Sequence, residues 1–115
     1  MQISEIRPGM TVDVKARVLG MQPPRTVRSK RGKMLKVSEA MLGDPSGRIP
    51  LTLWQRQIFL IKVGQVIEIK NAYTSEFQGI TRITLGRSGT LTVVDDPSFP
   101  SINELLKDLQ EDTQT

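Results

Sequence analysis

The feature that most constrains this chain is a repeated two-residue alternation of apolar and polar side chains, in short runs closed off by Gly, Pro, Asn and Asp. The cleanest run is T-V-D-V-K-A-R-V-L from Thr11 to Leu19, with Val12, Val14, Ala16 and Val18 on one side and Asp13, Lys15 and Arg17 on the other. A period of two belongs to a β-strand, whose successive side chains point to opposite faces, whereas a helix repeats its apolar positions every three or four residues. Similar runs follow at Met34 to Leu42, with mixed facing, and at Ile49 to Trp54, Gln65 to Tyr73 and Ile80 to Leu85. L-T-V-V at 91 to 94 extends the set. Between the second and third runs, G-D-P-S-G-R puts Asp44, Pro45 and Gly47 where a tight reverse turn needs them, so these two strands form a hairpin. Pro50 has no N–H for a ladder and belongs at the start of its strand or on an edge. The pattern predicts an all-β chain of five strands around one core, which 115 residues suffice to fill.

The connections differ in kind. M-Q-I-S-E-I-R-P-G-M at the start reads as one helical turn or a strap. Gly20 to Lys33 is predicted to be a long, mobile loop, broken by Pro23-Pro24 and Gly32. It carries Arg25, Arg28, Lys30, Arg31 and Lys33 without one acid. Such a run can be a solvated loop or a localisation signal, but like charges repel, and an anionic partner that neutralises them explains it better. In Gln55 to Lys62, Ile58, Phe59, Leu60 and Ile61 lie too close together for a surface helix. The segment predicts a short helix capping the sheet, with Phe59 in the core.

Beyond the single turn at the start, helical spacing is sustained only at the end. Ile102, Leu105, Leu106 and Leu109 fall at i, i+3, i+4 and i+7, and Ser101 and Glu104 have capping-box spacing. Residues 1–94 are read as the β domain, 95–100 as a linker, and 101–115 as an acidic amphipathic helix and tail. That helix is expected to pack on its own domain or pair symmetrically, ahead of entering a foreign groove.

Charge divides along the same line. Residues 1–94 hold 15 Lys and Arg against 6 Asp and Glu, and residues 95–115 hold 1 against 6, so a basic body precedes an acidic tail. A basic domain attracts polyanions, of which phosphate backbones are the first expectation. Catalytic chemistry finds little material. Without His or Cys there is no imidazole base, thiol nucleophile or zinc set. There is no Gly-Lys-Ser/Thr phosphate loop either, and the adjacent acids Asp95-Asp96 and Glu111-Asp112 lie in linker and tail. The chain reads as a binder with no enzymatic activity, cofactor or metal. The longest apolar run is I-F-L-I at 58 to 61, so no membrane association is expected and a cytoplasmic, nucleoid-associated location is.

Four of the five aromatic residues, Trp54, Phe59, Tyr73 and Phe77, sit in one window. Alternation turns Trp54 away from Ile49, Leu51 and Leu53, either half-buried under a loop or free to meet a flat ligand. Phe77 falls in a polar turn, T-S-E-F-Q-G, that offers little to bury it. Tyr73 would share the side of Ile67 and Ile69 unless a bulge at N-A-Y-T, or the end of the strand there, redirects it.

Five strands with a long loop after the first, a short helix between the third and fourth and a turn between the fourth and fifth follow the order of an OB-fold barrel. That barrel binds oligonucleotides across its second and third strands and the two loops just named. G-D-P-S-G-R-I-P-L-T-L-W followed by I-K-V-G-Q-V-I-E-I-K-N-A-Y-T-S-E-F-Q-G resembles the single-OB-fold, single-stranded-DNA-binding proteins of archaea. These are related to the B subunit of the SOSS complex and to replication protein A OB domains. The resemblance covers roughly residues 1 to 94 and implies base stacking on Trp54, Tyr73 and Phe77. With it come phosphate contacts from Arg28, Lys30, Arg31, Lys33, Arg82 and Arg87 and a role in protecting single-stranded DNA during replication, recombination and repair. An RNA-binding module and a subunit of a replication protein A-like assembly are the alternatives. Two departures from the family are Tyr73 where Trp is familiar and a short acidic helix in place of a long disordered tail.

Overall fold

The computed structural model describes residues 1–107. Seven strands run in chain order: β1 (Thr11–Met21), β2 (Arg25–Arg28), β3 (Met34–Asp44), β4 (Gly47–Trp54), β5 (Val66–Phe77), β6 (Ile80–Thr84) and β7 (Thr90–Val94). They form one sheet, in which six follow the order β1-β3-β4-β6-β5-β7 and β2 pairs off this path with β3, and pairing of β1 with β5 closes β1, β3, β4, β6 and β5 into a five-stranded barrel. All of the pairings are antiparallel except that of β4 with β6, where Leu51 meets Ile83 and Thr52 meets Thr84. This is the closed five-stranded OB barrel expected above.

The inward residues are those that alternation assigns. Val12, Val14, Ala16 and Val18 of β1, Ala40 and Leu42 of β3, Ile49, Leu51 and Leu53 of β4, and Ile67 and Ile69 of β5 are all buried. The β3–β4 turn is tied by Asp44, whose Oδ1 accepts from the N–H groups of Ser46 at 2.7 Å and Gly47 at 3.0 Å. Its Oδ2 accepts from the N–H of Ile3 at 2.9 Å, fastening the N-terminal 3-10 turn Ile3–Glu5 to the barrel. Pro50 lies inside β4, one residue before the pairing with β6 begins, where the strand has a neighbour on β3 alone.

Four expectations are corrected. The connection from Gly20 to Lys33 is not one long loop, because β2 pairs with β3 from Arg25↔Val37 to Arg28↔Met34 and makes it a hairpin. Its tip is ordered by Ser29, whose N–H donates to Lys33 O at 2.8 Å and whose Oγ accepts from the Lys33 N–H at 3.1 Å. The short helix between the third and fourth barrel strands is only a 3-10 turn, Gln55–Phe59. Phe59 is not core: it is 81% exposed, and Ile58 and Ile61 fill the end of the barrel instead. The fourth barrel strand runs to Phe77, which is therefore the last residue of a strand and not part of a turn.

The C-terminal helix, α1, occupies 102–107 of the described residues, and Leu109 lies outside them. The capping box is formed, with the Ser101 N–H donating to Glu104 Oε1 at 3.4 Å and the Glu104 N–H to Ser101 Oγ at 3.2 Å. Leu105 is buried, Ile102 half-buried and Leu106 partly exposed. The segment before α1 is strapped to β1 by Arg17, whose guanidinium donates to the carbonyls of Pro100 at 2.6 Å, Gly64 at 2.6 Å and Phe99 at 3.0 Å. Arg48 of β4 donates to the carbonyl of Leu105. No helix among the described residues is long and apolar enough to cross a membrane.

Candidate nucleic-acid interface

The outward face of the barrel is set by the residues that alternate with the core. On β4 these are Thr52 and Trp54, on β6 Arg82 and Thr84, and on β3 Val37 and Glu39. Together with Arg25 and Val27 of β2 and Phe77 of β5 they line one open groove. Val37 is buried yet stands apart from the barrel core, and it pairs with Trp54 on one side and Arg25 on the other. It forms the apolar floor of the groove. Trp54 closes one end, with its backbone fixed where the 3-10 turn begins by an N–H···Oε1 bond of 3.0 Å to Gln57.

Tyr73 reaches the same face through a bulge. The register of β1 on β5 jumps from Val12↔Ala72 to Val14↔Ile69, so β5 carries one residue more than its partner. The extra residue adopts a left-handed backbone at Asn71, φ 57°, a conformation that Asn tolerates better than most residues. The Asn71 N–H donates to Asp13 Oδ1 at 2.7 Å. Beyond the bulge the alternation changes phase, so Ala72 and Thr74 are buried while Tyr73 and Phe77 point out. Tyr73 pairs with Thr84 and through it stands level with Thr52, both of which line the groove.

Trp54 is 37% exposed and Tyr73 and Phe77 are 53% exposed each, on a single face. Four residues apart on one strand, Tyr73 and Phe77 are separated by about 13 Å along it. A two-residue turn follows Phe77, with positive φ at Gln78 (53°) and Gly79 (81°), and brings the exposed Ile80 directly opposite the ring. Such a turn twists with the strands it joins.

The expected cations fall into two groups. Arg28, Lys30, Arg31 and Lys33 are exposed along the β2–β3 hairpin, and Arg87 is exposed in the turn between β6 and β7. Arg82 is half-buried: its guanidinium is paired with Glu39 and lies over the Phe77 ring at 5.0 Å. Val27 and Ile80 were not singled out by the sequence as site residues, and Arg25, one of the five cations expected to meet an anionic partner, lines the groove itself. The β-branched pair Thr26-Val27 was the available sign of β2, masked by the like charges around it.

Residues 2–93 match the family described as single-stranded DNA binding protein Ssb-like, OB fold. The chain belongs to that family. This family member is 33% identical over 105 residues to the single-stranded DNA binding protein Ssb of Saccharolobus solfataricus, covering 90% of this chain and 70% of that protein. It is 27% identical over 111 residues to the replication factor A of Methanothermobacter thermautotrophicus, spanning 93% of this chain but 14% of that much longer one. A solved replication factor A related protein from Methanobacterium thermoautotrophicum superposes with a TM-score of 0.69 at 27% identity, over 83% of this chain and 90% of that one. One chain of a replication protein A heterotrimer bound to ssDNA shares the fold, with a TM-score of 0.73 at 24% identity over 88% of this chain and 26% of its own length.

Proposed function

We propose that this chain binds single-stranded DNA with little sequence preference and shields it during replication, recombination and repair. The observation that carries the reading is the presence of Trp54, Tyr73 and Phe77 on one outward face, each at least a third exposed. Flat rings spaced along a groove take successive unpaired bases. Each base stacked is worth about 1 to 3 kcal/mol, and every base has a π face to offer, which keeps the preference slight. Arg28, Lys30, Arg31 and Lys33 on the hairpin and Arg87 beyond β6 neutralise the backbone that runs past the rings. With about four phosphates engaged, log K falls with log salt at a slope near −3. Duplex binds poorly because its bases present no free face. The role is binding and not catalysis. The relatives' names, a single-stranded DNA binding protein and a replication factor, support this reading.

Titration of Trp54 fluorescence with oligo(dT), oligo(rU) and duplex DNA at two salt concentrations tests it. Quenching by oligo(dT), with little response to duplex, is the expected result. Stronger quenching by oligo(rU) would transfer the reading to RNA, since no residue of the groove is committed to a 2′-hydroxyl. No response to any oligonucleotide, together with a stable oligomer in sedimentation, would make the chain an assembly subunit.

A further inference from the structure

The groove contains one charged pair whose placement does not suit phosphate binding. Glu39 and Arg82 face each other across it, with side chains 18% and 19% exposed, and the guanidinium is satisfied on one side by the carboxylate. Its other face lies on the Phe77 ring, 5.0 Å from the centroid. The Arg82 Nε is buried and has no partner among the described residues. An acid on a surface meant for a polyanion is unfavourable unless it does something else there. Here it neutralises Arg82 and fixes the plane of its guanidinium, and that plane in turn carries the ring. A cation over an aromatic face is attracted by the ring quadrupole, the more strongly the less water lies between them.

We propose that Arg82, held by Glu39, is a positioning residue that orders the Phe77 ring for stacking, and that it makes no phosphate contact. This rests on Phe77 being a stacking platform, as proposed above. Phe77 ends its strand at a hairpin and is half exposed, so without support its ring is free to turn between rotamers. Support from below selects one orientation before the base arrives, and pre-organisation of this kind appears as affinity. Arg82 also leaves the electrostatic tally of the site: its charge is already compensated by Glu39, so the pair as a whole displaces no counterion from the strand on binding.

The test is a mutant cycle on oligo(dT) affinity, with the charge-neutral pair change R82Q/E39Q, F77A, all three changes together and E39Q alone each measured across a salt series and checked by circular dichroism. R82Q/E39Q, which leaves no unpaired acid in the groove, is expected to weaken binding roughly 2- to 30-fold with an unchanged salt slope, and to have no further effect once F77A is present. E39Q alone separates the two roles by sign. If Arg82 met phosphate, removing the acid would strengthen binding. Under the positioning role, affinity extrapolated to 1 M salt falls, and this arm stands even if R82Q/E39Q fails to fold. A slope reduced by about 0.7 in R82Q/E39Q, the share of one phosphate on a single strand, overturns the proposal. So does a loss from R82Q/E39Q that persists undiminished beside F77A, or a gain at 1 M salt in E39Q. If F77A alone binds as tightly as the unmodified chain, the stacking reading of Phe77 fails first, and that outcome is distinct from failure of the Arg82 cycle.

Discussion

Ile58 and Phe59 are neighbours, both apolar, and have opposite fates. Ile58 is 7% exposed and closes the end of the barrel, while Phe59 is 81% exposed in the same 3-10 turn. With about three residues per turn, a five-residue turn presents one narrow stripe inward and has no second apolar side. Ile58→Ala is therefore expected to cost about 2 to 5 kcal/mol in urea unfolding, and Phe59→Ala no more than about 0.5 kcal/mol. The same contrast separates stacking rings from a merely exposed one. Trp54→Ala and Tyr73→Ala are each expected to weaken oligo(dT) binding by about 1 to 3 kcal/mol. Phe59, the most exposed aromatic but carried on the 3-10 turn and not on the strand face that holds Trp54, Tyr73 and Phe77, should lose nothing in the same titration. Exposure without a shared face is not a site.

At the scale of the element, the bulge in β5 decides where Tyr73 points. Strict alternation from Ile67 and Ile69 would bury the ring, and one extra residue at Asn71 turns it out. A β-branched residue is poorly suited to a φ of 57°, so Asn71→Val is expected to cost about 1 to 2 kcal/mol and also to weaken oligo(dT) binding through Tyr73. Asn71→Gly should fold as well as the unmodified chain; urea midpoints and fluorescence titrations of the two variants check both effects. This is also where the sequence stops being sufficient. The inward faces of β1, β4 and the first half of β5 were legible because their period is two and unbroken. The bulge was not, since a phase change leaves only an N-A-Y-T that is equally compatible with a strand end. β2 was hidden for another reason: Arg25 to Arg28 becomes a strand because β3 extends far enough to pair with it, a partner that no local pattern announces. Phe77 was read in a turn because its neighbours are polar, but Thr74 and Ser75 continue β5 by pairing with Ile83 and Arg82. Turn composition and edge-strand composition are alike. Of the groove, the rings and hairpin charges could be named from sequence, whereas the Glu39–Arg82 pair could not, because its two members are 43 residues apart.

For the molecule as a whole, the segment from 95 to α1 is part of the folded body, tied down through Asp96 and two backbone carbonyls on the barrel side that carries Lys15 and Arg17. Lys15 Nζ and Asp96 Oδ2 are 2.5 Å apart, and Arg17 lies over the Phe99 ring at 5.8 Å besides holding three carbonyls. None of these residues lines the groove. The hydrogen bond from Lys15, helped by one from Ser98, lowers the Asp96 carboxyl from 3.8 to about 2. The same hydrogen bond raises the Lys15 ammonium above 10.5. A carboxyl whose pKa is lower in the folded chain stabilises the fold above its unfolded value and loses that contribution as the pH falls through the folded one. The acid limb from this pair therefore lies between about pH 4 and pH 2. An ammonium whose pKa is raised contributes fully below 10.5 and loses its contribution only as the pH climbs through the raised value, so the pair is intact across the neutral range. Asp96→Asn removes the acid limb of this pair and leaves every other carboxylate in place. Urea midpoints of the two proteins, measured from pH 7 to pH 2, are expected to differ above pH 4 in favour of Asp96 and to converge as pH 2 is approached. Parallel curves would mean that the ion pair is compensated by solvent and that the bonds of Arg17 to the Phe99 and Pro100 carbonyls, with burial of Leu105, hold the strap. In that event Arg17→Gln and Leu105→Ala would loosen it where Asp96→Asn does not. The pH series thus separates anchoring by charge from anchoring by backbone hydrogen bonds and packing.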